Sequence, residues 1–229
     1  MIVEAALQTQ PLLDVYDTVL LPALSYAKED RQRGILTATD VQEMVQATRE
    51  IVEDLATHPS AAAPDVDATA EEDGAARVPL VPIPLLGCPA RDDIDALAVR
   101  LLQQACDPTR VAIDLVAPGL LTADVVAHVA QTQPALVCVG AVVPGGVPHL
   151  RYLCKQLRAR FPSLPLVVGC WGAAEPVAET VALLRADGLD HVETTVQTTR
   201  DYLMQVSQLV ASQRALRPAG EGRPDRSVA

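Results

Sequence analysis

Leu136, Val137, Cys138 and Val139 form a nearly continuous apolar run rich in β-branched residues. A strand wetted on one side alternates polar and apolar residues. This one instead needs cover on both faces, as in a parallel sheet with helices above and below. Gly140 and the turn Pro144-Gly145-Gly146 follow, and an amphipathic helix opens near Pro148. Open α/β sheets bind ligands at the carboxyl ends of their strands, so this glycine-rich exit is the first candidate functional surface.

The same strand–helix unit recurs on either side. Residues 81–86 form a first strand ending at Gly87, with Pro82 and Pro84 awkward for a central position. Asp92 or Asp93 caps the next helix, which carries Ile94, Leu97, Ala98, Leu101 and Leu102. Residues 111–116 are a second strand, followed by a helix from Thr122. The third helix holds Leu150, Leu153 and Leu157. Leu166, Val167 and Val168 form a fourth strand, ending in Gly169-Cys170-Trp171-Gly172. A helix over 175–186, a short strand near 191–194 and a last helix to about Leu216 complete the pattern. Five such units predict an α/β fold with a five-stranded parallel doubly wound sheet, flavodoxin-like, in the order 2-1-3-4-5. Gly87, Gly140 and Gly169 would then end their strands along one rim.

An α-helical hairpin, residues 1–57, precedes this sheet. Leu12, Tyr16, Val19, Leu20, Ala23, Leu24 and Ala27 make one stripe, which Pro22 should kink or break. Residues 28–33 (KEDRQR) read as a solvated end, and Gly34 as a stop. Thr39 and Gln42 have the spacing of a capping box opening a second helix, whose stripe is Val41, Met44, Val45, Thr48, Ile51, Val52 and Leu55. Residues 58–77 read as an acidic Ala/Pro-rich linker, 78–214 as the α/β domain and 215–229 as a disordered tail.

The net charge of −11 argues against nucleic acid as a partner. Residues 1–60 carry 4 basic and 10 acidic side chains and 61–77 carry 1 and 5, so the acidity lies ahead of the sheet. No apolar run approaches the ~20 residues that span a bilayer, and the start lacks the features of a secretory signal. Five cysteines (Cys88, Cys106, Cys138, Cys154, Cys170) without a CxxC pair suggest a reducing, cytoplasmic setting.

The rim supplies the candidate ligand-binding residues: Gly87, Asp92, Asp93, Gly140, Ala141, Gly145, Gly146, His149, Gly169, Trp171 and Gly172. His58 falls in the linker, His128 on a helix and His191 at an edge strand, leaving His149 the best placed of the four histidines. Trp171 either stacks on a flat ligand or packs as a lid. Asp92, Asp93 and Asp95 are explained by a helix start, where carboxylates cap amides and favour the dipole. Arg151, Lys155 and Arg158, at i, i+4 and i+7, form a basic stripe that is either a solvated face or a partner-binding surface. No nucleophile–base–orienter set and no metal-ligand cluster is recognisable, so no catalytic or metal residue is assigned.

The segment VYDTVLLPALSYAKEDRQRGILTATD, a linker and then five βα units resemble the cobalamin-binding module, a helical bundle joined to a flavodoxin-like domain as in methionine synthase and light-sensing transcription regulators. ALVCVGAVVPGGVPHLRYLCKQLRARFPSLPLVVGCWG is more similar still to a soluble domain appended to some permeases of the autoinducer-exporter superfamily. The resemblance spans roughly residues 11–56 and 78–212. The module's cobalt-binding motif, Asp-x-His-x-x-Gly, would fall within Pro89–Ala96, where neither the histidine nor the glycine is present. A carboxylate is a poor donor to a soft, low-spin metal. The bundle's Glu-His pair would fall near Val41 and Gln42, and the Ser-x-Leu element at Gly140-Ala141-Val142. Only the glycine pair of the fourth strand persists, as Gly169 and Gly172.

The resemblance implies a non-catalytic regulatory or sensory module that lacks the cobalt-ligating histidine. It would work through protein interaction or small-ligand binding, linked to a membrane permease at the cytoplasmic face. Two alternatives stay open: a genuine cobalamin (corrinoid) binder in base-on mode, and an enzyme using the rim around Gly87, His149 and Trp171.

Overall fold

The structure, a computed structural model, describes residues 2–56, 81–172, 177–189 and 191–216. The linker expected over 58–77, with His58, and the tail from Arg217 lie outside the described residues.

Before the sheet come α1 (Ile2–Leu7), α2 (Leu12–Val15), α3 (Leu21–Gln32) and α4 (Ala38–Ala56). Helix α1 was not anticipated from the pattern. The helix does not break at Pro22. A π-helical turn, Tyr16–Leu20, joins α2 to α3, and Pro22 sits in the first turn of α3, where its missing N–H is tolerated. The box that opens α4 lies two residues earlier than the spacing of Thr39 and Gln42 suggests. The Thr37 amide donates to Asp40 Oδ2 (2.7 Å) and the Asp40 amide to Thr37 Oγ1 (3.2 Å). The Thr37 hydroxyl, which also donates to Asp40 Oδ2 (2.7 Å), and then the Thr37 amide hold the Asp40 carboxyl below its ordinary range. Thr37→Ala is expected to lower stability by about 1 kcal/mol in urea unfolding; an unchanged midpoint would deny the box any role.

Then follow β1 (Ile83–Pro89), α5 (Asp93–Ala105), β2 (Val111–Leu115), α6 (Thr122–Thr132), β3 (Leu136–Val143), α7 (Val147–Arg160), β4 (Leu166–Gly172), α8 (Val177–Ala186), β5 (His191–Glu193) and α9 (Val196–Leu216). The strands pair in parallel in the order β2-β1-β3-β4-β5, the flavodoxin-like arrangement expected. All eight residues of β3 are buried, as a strand covered on both faces requires. Pro84 is accommodated in central β1 because it lies opposite Ala112 near the strand's start, while β3 joins β1 only from the Leu85–Leu136 pair onward.

Strands β1, β3 and β4 divide their residues between two cores, β2 serving the first and β5 the second. Leu85, Ile113, Cys138, Val142, Val167 and Trp171 face α5, α9 and the amino-terminal helices. Leu86, Cys88, Val137, Val139, Ala141 and Cys170 face α6, α7 and α8. Val15, Tyr16, Leu20, Val41, Val45 and Val52 belong to the first of these cores, so the helices that precede the sheet share its interior. Asp17 adds a polar tie: its carboxylate accepts the amides of Val196 (2.7 Å) and Gln197 (3.1 Å), capping α9. No helix among the described residues is long and apolar enough to cross a membrane.

Candidate functional site

The carboxyl rim of β1, β3 and β4 is roofed by α3. One face of that helix, Leu21, Ser25, Lys28 and Gln32, follows the i, i+4, i+7, i+11 repeat. The Ser25 hydroxyl donates to the Val143 carbonyl at the end of β3. Lys28, expected in the solvated end, is instead buried, with 5% of its side chain exposed. Its Nζ donates to Asp95 Oδ1 (2.5 Å) and to the Val142 carbonyl (3.1 Å), and lies 3.2 Å from Asp92 Oδ1. Physically, an ammonium leaves water only where carboxylate and carbonyl oxygens replace its hydration.

The carboxylates come from the start of α5. Asp92 is the N-cap, accepting the Asp95 amide (3.1 Å), while Asp95 reaches back toward the Asp92 amide (3.4 Å). Asp95 is fully buried and also accepts the Val142 amide on β3 (2.8 Å). Burial pushes its carboxyl above the ordinary range, against the pull of Lys28. Capping therefore accounts for Asp92 and for only part of Asp95, whose other partners lie on α3 and β3. Asp93, the first residue of α5, is exposed.

Two glycines let α3 descend this far. A side chain at Gly172 (φ +120°) would meet the Val143 carbonyl at 2.9 Å and Ser25 at 3.1 Å, and one at Gly145 would meet Gln32 Nε2 at 2.7 Å. Gly146, the residue before α7, lies beside Asp95. His149 is exposed in the first turn of α7 and stands apart from this network.

Gly87, Gly140 and Gly169 do not end their strands, which is a correction to the sequence reading. All three lie inside β1, β3 and β4. Their missing side chains leave a trough on the α5 face, and the side chains of Trp171 and Val99 fill it. A methyl group on Gly169 would sit 2.1 Å from Trp171 Cζ2, and one on Gly140 2.5 Å from Trp171 Cζ3. A methyl group on Gly87 would sit 2.8 Å from Val99 Cγ1. Trp171, within β4 and completely buried, is thus a packed lid, its indole N–H donating to Thr199 Oγ1 of α9 (3.0 Å). Ala141 points to the opposite core.

The rim candidates accordingly separate into a group under α3 (Asp92, Gly145, Gly146, Gly172), a group in the trough (Gly87, Gly140, Gly169, Trp171) and the outlying Asp93, Ala141 and His149. Sequence reasoning missed Lys28 and Ser25. The available signal was helical register, since Lys28 continues the Leu21–Leu24 stripe.

Chemically, this site is inward-looking. Its one cation and its fully buried carboxylate satisfy each other. The thiols of Cys88, Cys106, Cys154 and Cys170 are pushed up to about 12 by burial, and that of Cys138 further still. A neutral buried thiol is a poor nucleophile. No described cysteine is expected to react with a disulfide reagent in the native chain, whereas all five should react after denaturation; one rapid native equivalent would reveal an open path. Among the described residues no cluster of three His, Cys, Asp or Glu has the geometry to hold a metal ion. His128 lies 3.9 Å from Asp114 on the surface, and His191 opens β5 and stacks on Tyr202 with ring centroids 4.3 Å apart.

The sequence matches no family model and no curated protein. Among solved structures, the chain is similar to one described as the 1.5 Å crystal structure of a novel cobalamin-binding protein from Desulfitobacterium hafniense DCB-2. The identity is 14% and the TM-score 0.45, over 90% of this chain and 83% of that one.

Proposed function

We propose that this chain is a non-catalytic regulatory module on a cobalamin-binding-like architecture, with its rim closed by its own helix α3, and that it works through contact with another protein. The observation that carries this reading is the burial of Lys28 among Asp92, Asp95 and the Val142 carbonyl. In the motif Asp-x-His-x-x-Gly, histidine and glycine stand three residues apart, the spacing of Asp92 and Asp95. Neither carboxylate is available to a metal: one caps α5 and both pair with Lys28.

The residues present do not fit a corrinoid. Helix α3 closes the rim through the Ser25–Val143 and Lys28–Val142 bonds, and Trp171 fills the trough that the glycines leave beside it. No step is therefore assigned to cobalt. The test is gel filtration of the full chain after incubation with hydroxocobalamin. The expected result is a colourless protein peak and a separate red small-molecule peak. Co-elution of the chromophore with wild-type protein would overturn the reading in favour of a base-on corrinoid binder, and a shifted corrin spectrum would identify a protein ligand to cobalt.

A further inference from the structure

On the sheet's other side, the outer surface of α7 and the turn after α8 enclose a groove of about 600 Å³, lined by Pro148, Tyr152, Lys155, Arg158, Asp187 and Leu189 together with Arg151. Two of its cations are held in place. Arg151 grips Asp187 with two bonds (2.5 and 3.0 Å), and Arg158 Nη1 donates to the carbonyls of Pro162 (3.2 Å) and Leu164 (3.1 Å). Lys155 is exposed and, after Arg151, helps hold the Asp187 carboxyl below its usual range. Three cations thus face one carboxylate, in a chain whose net charge is −11. Tyr152 is 56% exposed at the same place, a large ring left in water beside apolar Pro148 and Leu189.

We propose that this groove docks an acidic peptide segment of a partner protein, with carboxylates on Lys155 and the two arginines and an apolar side chain against Tyr152. The proposal rests on the reading of the chain as a protein-contact module and names the chemistry of its partner. The helical rise puts Arg151 and Arg158 about 10.5 Å apart along α7. An extended peptide covers that distance in about three residues, so a short acidic stretch meets all three cations. A long polyanion would also run over the negative remainder of the surface, which repels it within a Debye length of ~10 Å. Fixed guanidinium groups lose little freedom on binding a carboxylate.

The probe is a fluorescein-labelled decapeptide alternating glutamate and leucine, titrated with the full chain and read by anisotropy at low and moderate salt. Saturable binding that weakens with salt is expected. Lys155→Glu, at an exposed position, should weaken it at least about tenfold, while Arg33→Glu, just past the end of α3, leaves it unchanged. The proposal falls if wild type fails to bind, if Lys155→Glu binds equally, or if Arg33→Glu weakens binding as much. It also falls if anionic phospholipid vesicles bind in the peptide's place, or if sedimentation shows the groove filled by a second copy of the chain. Loss of peptide binding with a colourless gel-filtration peak would sink this proposal alone; corrinoid retention would sink only the reading beneath it.

Discussion

Lys28→Met is expected to lower the free energy of unfolding by about 3–5 kcal/mol, the range seen when one partner of a buried ion pair is removed. The loss comes less from the missing attraction than from what stays behind. Asp95, with no exposed surface, would keep a carboxylate facing the Val142 amide without its cation. The double variant Lys28→Met, Asp95→Asn is the diagnostic partner. An asparagine carbonyl in the place of Oδ1 can still accept the Val142 amide and gives up only the long contact with the Asp92 amide, so the double variant should unfold closer to wild type than Lys28→Met alone. Urea denaturation followed by circular dichroism measures both. A loss under about 1 kcal/mol for Lys28→Met would mean that solvent reaches the pair, and the rim would then have to be regarded as open.

Trp171→Ala is the second large effect, expected at about 3–5 kcal/mol through the cavity left over the glycine trough. Gly169→Ala should be severe for the opposite reason, since its methyl group has no space 2.1 Å from the indole. The two faults relieve each other. Combined, they should be less destabilising than the sum of the single changes by about 0.5–3 kcal/mol. Strict additivity would show that the indole does not occupy the trough in solution.

The arrangement of the sheet was legible in the sequence because each strand is a short apolar run and each helix carries one stripe. The clearest strand is β3, where hydrophobicity is continuous and leaves one option. The misreadings have local causes. Gly87, Gly140 and Gly169 look like strand ends because glycine interrupts strands. Here Gly140 and Gly169 make room for an indole and Gly87 for Val99, neighbours that only three-dimensional packing brings there. Lys28 opens a run of six polar residues, KEDRQR, and such runs normally face water. Only its register with Leu21 and Leu24 sets it apart, and its counter-charge lies 67 residues downstream. Composition also drew attention to the acidic segment between α4 and β1, which masks the fact that the helices on one side of it share a core with α5 and α9.

That sharing bears on how the chain is made. Asp17 finds the amides it caps 179 and 180 residues later. At translation rates of 5–20 residues per second, roughly 10–35 s pass before α9 is synthesised. Through that interval Tyr16, Leu20 and Leu24 have their final neighbours only in part, and the first helices synthesised are among the last to be fully covered. A nascent chain of this design leaves that apolar surface uncovered through most of its own synthesis.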